Sequence, residues 1–169
     1  MKAILWTLLV TPSLLLATAQ FPDTLVYHGK SESIFSTPLE DYFQKTAARP
    51  KWLTATSTAC WRGYIAFWEL RDDRLILTQI TRREFDSKGD QYVERDISKK
   101  VFRRQSLPIE ATWFSGVIRL PQGKQLEYVH LGFESVYEKD LFLEFKNGVL
   151  ANTRIVRNAP SQPAKSGNN

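Results

Sequence analysis

Reactive and metal-binding side chains are scarce in this chain, which has one cysteine and two histidines among its 169 residues. The lone Cys60 cannot form an intramolecular disulfide, so the fold must rest on its hydrophobic core even in an oxidising compartment. His28 and His130 stand apart, with no clustered Cys/His spacing that would suit zinc. Asp86-Ser87-Lys88-Gly89-Asp90 imitates a calcium loop but places Lys88 where a third ligand belongs, and it reads as a surface turn. A Gly-x-Ser-x-Gly elbow is missing, and Phe114-Ser115-Gly116 is too common to mark a serine nucleophile. No metal and no cofactor is expected. Long apolar runs are equally rare.

The one apolar run opens the chain. Lys2 precedes a stretch from Ala3 to Leu16, interrupted by Thr7, Thr11, Pro12 and Ser13, and Ala17-Thr18-Ala19 supplies small residues before Gln20. This is the pattern of a secretory signal peptide covering residues 1–19, shorter than the ~20 apolar residues of a membrane span. The expected product is exported, periplasmic or secreted, with no stable membrane span after cleavage. At the other end, residues 158–169 are small, polar and without apolar periodicity, as in a disordered tail. Residues 20–157 between them suffice for a single globular domain with one core.

Net charge is modest, at +5. Ten basic and seven acidic side chains lie between Arg71 and Arg104, a mixture that reads as a solvated face. It falls short of the dense basic stripe of a nucleic-acid binder, so no nucleic-acid partner is expected.

What the chain does have is periodicity. Asp23 to His28 reads as an opening strand closed by Gly29. Thr37-Pro38-Leu39-Glu40 reads as a capping box with proline at the first helical position, and Leu39, Tyr42 and Phe43 would share the buried face of that helix. From Ser57 the period becomes two: Tyr64, Ala66, Trp68 and Leu70 fall on one face, and Trp61, Ile65 and Phe67 on the other. The polar turn Arg71-Asp72-Asp73-Arg74 leads into Leu75 to Ile80, so the two runs form a hairpin near the middle of a sheet. The polar excursion from Arg82 to Arg95 is expected as a hairpin or long loop, and Asp96 as the cap of a short helix. Trp113–Leu120 and Gln125–Leu131 suggest a hairpin about Pro121-Gln122-Gly123-Lys124. A last hairpin turns at Asn147-Gly148. The sum is an α+β fold: a mostly antiparallel bent sheet or partly closed barrel of about seven strands, with one or two short helices.

Thr58-Ala59-Cys60-Trp61-Arg62-Gly63-Tyr64-Ile65-Ala66-Phe67-Trp68-Glu69 resembles a T-A-x-W-R-G-Y-x-A-x-W-E segment of a family of small uncharacterised bacterial proteins. Pro38 to Phe43 and Tyr128 to Gly132 resemble two further segments of that group. The resemblance implies a shared fold and brings no activity, cofactor or partner with it. It also implies that the position of Cys60 often carries an aliphatic residue, which weighs against a catalytic role there.

Three weak catalytic candidates remain. Cys60, His130 and Glu134 have the residue types of a nucleophile, base and orienting acid, if the fold joins them. Glu134 and Glu138 could instead form a carboxylate pair, although both are expected in a solvated loop. Arg62 is the strongest binding candidate: beside Trp61 and Gly63, it can lie over an aromatic face or offer its fork to a carboxylate such as Glu69. A buried bridge to an internal acid or carbonyl is the competing use. Trp52, Phe133 and Tyr137, if exposed, would form an aromatic patch. The leading expectation is a non-enzymatic, inhibitor- or immunity-like binding domain whose partner is an envelope protein or glycan. A small hydrolase using His130 with Cys60 or a Glu, and a carrier of a small apolar ligand in a β-barrel, are the alternatives.

Overall fold

The computed structural model describes residues 19–129 and 133–159. Asp23–Tyr27 forms β1 and Lys30–Ile34 forms β2. They are joined at His28 and Gly29, both with positive φ (48° and 74°), the backbone that a two-residue hairpin needs. Helix α1, Pro38–Thr46, follows and buries Pro38, Leu39 and Phe43. The capping box does not form. Thr37 makes no side-chain cap, and the Glu40 carboxylate turns instead to Arg49 and Tyr64, where a charged partner outbids a backbone amide that water can reach.

Strand β3 is Ile65–Arg71, which corrects the expectation of a strand from Ser57. Residues 57–64 are a turned loop held by a bridge between Ser57 and Cys60. Gly63 explains the break: its φ is +80°, and a Cβ there would sit 2.1 Å from the carbonyl oxygen of Thr54. Past that point the period of two holds. Tyr64, Ala66 and Trp68 are buried, while Ile65 and Phe67 on the other face are half-buried. Trp61, expected beside them, is 66% exposed in the loop.

Strand β4, Arg74–Asp86, follows a turn in which Asp72 and Asp73 both have positive φ. It is long because the polar excursion is a hairpin: β5, Gln91–Asp96, pairs with its far half. A single turn of helix, α2, spans Ser98–Val101, with Asp96 accepting from the Ser98 amide at 2.8 Å. The short β6, Ile109–Glu110, also pairs with β4. Strand β7, Gly116–Glu127, corrects a second expectation, because it runs through Pro121 to Lys124 where a hairpin turn was anticipated. Its partner is β8, Val136–Lys146, and the Pro-Gly stretch is absorbed as a register shift between Gln122 and Gln125. Gly123 takes φ +80° there, with the Glu138 side chain against it and accepting from the Lys124 amide. The expected Asn147-Gly148 turn leads into β9, Val149–Arg157.

The nine strands run in the order β2-β1-β3-β4-β9-β8-β7, with β5 and β6 also on β4; the β1–β3 pair is parallel and the rest are antiparallel. The architecture is α+β, and the sheet does not close into a barrel. Its two ends meet just past β2, where the Phe35 amide donates to the Arg119 carbonyl of β7 at 2.9 Å. The Ser36 hydroxyl bridges the same gap, accepting from the Arg119 amide and donating to the Val117 carbonyl. One cluster fills the interior, from Leu25, Leu39 and Trp68 through Leu77 and Ile80 to Leu120, Leu143 and Phe145. Among the described residues no helix is long and apolar enough to cross a membrane.

Candidate functional site

Arg62 is buried, 4% exposed, at the end of the loop that Gly63 terminates. Its Nη2 donates to the Phe21 carbonyl at 2.9 Å and to Asp23 Oδ1 at 3.1 Å. Asp23 opens β1 and is fully buried. It also accepts from the Ala66 amide (3.1 Å) and, through Oδ2, from the Trp68 indole (3.3 Å). Burial outweighs the neighbouring guanidinium and lifts the Asp23 carboxyl to about 6. The guanidinium lies over Tyr64, whose hydroxyl donates to Glu40 at 2.8 Å; burial first, then the Asp23 and Glu40 charges, push the Tyr64 phenol well above its ordinary value. Glu40 in turn takes both contacts from Arg49 Nη1, at 2.7 and 2.9 Å, and Arg49 reaches the Arg62 carbonyl at 2.7 Å. Arg62 is therefore an internal bridge, and Glu69, considered as its partner, pairs with Arg71.

A second knot sits at the open seam. Arg119 holds Asp140 through two contacts, at 2.8 and 3.2 Å, and donates to the carbonyls of Phe133 and Ser135. Asn158 completes the acid's shell by donating to Asp140 Oδ2 at 2.7 Å. Rings join the two knots: Arg119 lies over Phe35, Phe35 stacks on Phe133 at 5.2 Å, and Phe133 carries Arg62 on its ring. This four-membered stack plugs the gap that backbone pairing leaves between β2 and β7. Phe133 and Tyr137 thus pack on Phe35, and with Tyr128 they line a seam hollow of about 440 Å³.

Of the three catalytic candidates, Cys60 and Glu134 lie among the described residues. Cys60 is buried, 3% exposed, with its Sγ 3.5 Å from the Tyr64 carbonyl oxygen. Glu134 is exposed, and Glu138 is engaged with the Lys124 amide. His130 lies outside the described residues, as do residues 1–18 of the expected signal peptide and residues 160–169 of the expected tail. Among the described residues no group of three or more His, Cys, Asp and Glu could hold a metal ion. The Asp86 to Asp90 segment is the exposed β4–β5 turn, with Asp86 accepting from the Lys88 amide.

Trp52 belongs to a different place. It is 37% exposed at the edge of a cleft of about 1040 Å³ between the end of α1 and the segment following α2. One wall is an aromatic cluster in which Tyr42 packs against both Phe102 and Trp113, at 5.0 and 4.9 Å. Lys45 and the Trp113 indole anchor that wall by donating to the carbonyls of Trp113 and Pro38. The rim carries Lys51, Lys100, Arg103 and Arg104, all exposed and none in an ion pair among the described residues. The one acid in the lining, Glu110, is paired with Arg74 at 2.9 Å. Sequence reading missed these four cations. The doublets Lys99-Lys100 and Arg103-Arg104 were visible, but counting acids across the whole segment diluted them, and Lys51 joins them only in space. The arrangement offers a concave cationic surface with an open indole face, suited to an anion that also has something to stack.

Compared with protein families, curated proteins and solved structures, the chain has no match in any of the three.

Proposed function

We propose that this chain is an exported, non-enzymatic binding domain of the bacterial cell envelope, and that the Trp52 cleft is its binding face. One observation carries the reading: the buried arginines Arg62 and Arg119 are paired to internal aspartates, whereas Lys51, Lys100, Arg103 and Arg104, none in an ion pair among the described residues, gather around one aromatic cleft. Protein surfaces usually disperse charges of both signs, so a one-sign cluster over a hollow favours attraction of an oppositely charged partner. An inhibitor- or immunity-like role fits the same face. Hydrolysis draws less support, since Cys60 is buried against a backbone carbonyl and Glu134 stands in solvent. Carriage of an apolar ligand draws less too, since the interior is filled and the sheet stays open.

The test is retention from an envelope extract by the immobilised protein. A component held by the wild type and released by Trp52→Ala supports the proposal. Failure to retain anything, together with ester or amide turnover lost in Cys60→Ala, would replace it with the hydrolase.

A further inference from the structure

The cleft does not end at Trp52. A second hollow of about 600 Å³ shares three lining residues with the first, Trp52, Lys100 and Arg103, and is also lined by Arg82 and Lys99. The larger hollow already reaches the upper end of the range for small-molecule sites. The two hollows thus adjoin at Trp52, and between them their walls carry Lys99, Lys100, Arg103 and Arg104. Glu84 intrudes on the second hollow, but it is taken up by Arg82 and Arg95 at 3.2 and 3.4 Å.

Resting on the reading of this cleft as the binding face, we infer that its ligand is an acidic polysaccharide: a linear chain of sugar rings bearing carboxylates at regular intervals. Repeated cations match repeated anions, and lysine and arginine heads bind carboxylates through charge-assisted hydrogen bonds. The apolar face of a sugar ring fits flat on one exposed indole. Single-stranded nucleic acid is also a polyanion with rings, but it is held by a row of aromatic platforms, one for each successive base. Here Trp52 is the one exposed ring in the lining, while the half-buried Tyr42 and Trp113 pack with Phe102 on one another. A lipid surface presents charge in a plane, and the cations here surround a hollow.

The experiment follows the Trp52 indole N–H by NMR, assigned through Trp52→Phe, as the purified protein is titrated with a hexamer of galacturonic acid. The same hexamer with its carboxylates methyl-esterified, a dT12 oligonucleotide and phosphatidylglycerol vesicles serve as comparators. The expected result is a saturable shift with the acidic hexamer, absent with the ester. Affinity should fall about tenfold or more in Arg103→Gln/Arg104→Gln, the loss of one or two charge-assisted contacts. Equal binding of the ester, or tighter binding of dT12 or vesicles at the same indole, overturns the polysaccharide while leaving the cleft as the binding face. No shift with any probe, with the acidic hexamer binding wild type and double variant alike elsewhere, overturns both.

Discussion

Arg62 and Arg119 turn inward, each held by an aspartate and at least one backbone carbonyl and each laid over an aromatic ring. Arg103 and Arg104 stand exposed beside a cleft with no acid of their own. The chemical group is the same, and the surroundings assign it opposite work. In the knots the guanidinium compensates a buried carboxylate and ties together segments far apart in sequence. At the cleft its charge is left over, and leftover charge on a concave surface is what a partner can use. On the proposed reading, folding and recognition fall to two different sets of arginines.

That division can be broken most forcefully at Arg62. In Arg62→Ala the buried Asp23 loses its counter-charge, and urea unfolding should register a loss of about 3–5 kcal/mol, the usual cost of stranding a buried ion. A loss under about 1 kcal/mol would mean the knot is not structural.

A second, smaller effect is pH-dependent. The folded Asp23 carboxyl titrates at about 6, above its ordinary 3.8, so the native state binds the proton more tightly than the unfolded chain. Its contribution to stability is full below about pH 4 and is lost as pH rises through 6, at most a few kcal/mol. Relative to Asp23→Asn, the wild type should therefore lose stability between pH 4 and 6 and run parallel above; a flat difference curve from urea melts across that window refutes the assignment.

Arg119→Ala comes next. Its side chain is 21% exposed, so water can replace part of what is lost, and about 2 kcal/mol is expected, within the range for hydrogen bonds to charged groups. Local amide exchange should rise at Phe35, whose amide donates to the carbonyl of residue 119 across the two ends of the sheet.

At the small end, Trp52→Ala and Arg103→Gln/Arg104→Gln should leave the urea midpoint where it is, because exposed side chains outside the core contribute little. A midpoint shift as large as that of Arg119→Ala would erase the contrast between knot and cleft.

Much of the fold was legible because local rules acted undisturbed. The Asn147-Gly148 and Asp72-Asp73 turns, the α1 face of Leu39 and Phe43, and the alternation from Tyr64 to Trp68 each follow from chemistry within a few residues. Two segments misled for one reason. At Gly63 a period-two pattern is cut by a close approach of Thr54, and at Gly123 a turn-like Pro-Gln-Gly stretch is carried through a strand because β8 supplies the ladder on its flank. Both outcomes depend on a neighbour from elsewhere in the chain. β2 and β6 were missed because one is polar and the other only two residues long. Of the candidate site, Arg62's burial was one of the readings on offer, and Trp52 was named with Phe133 and Tyr137 as a patch conditional on exposure; Trp52 is exposed, whereas the other two are half-buried against Phe35. The cations around that indole were not anticipated.

By itself the sequence determined the class of fold and the reliance on a core in place of disulfides, since composition and short-range periodicity carry that information directly. Only the tertiary structure decided that Asp23 is the acid beneath Arg62, that four side chains stack across the open seam, and that Lys51 meets Lys100, Arg103 and Arg104 around Trp52. Each of these depends on which distant residues become neighbours. Burial, pairing and concavity are properties of that meeting, and no window of sequence contains them.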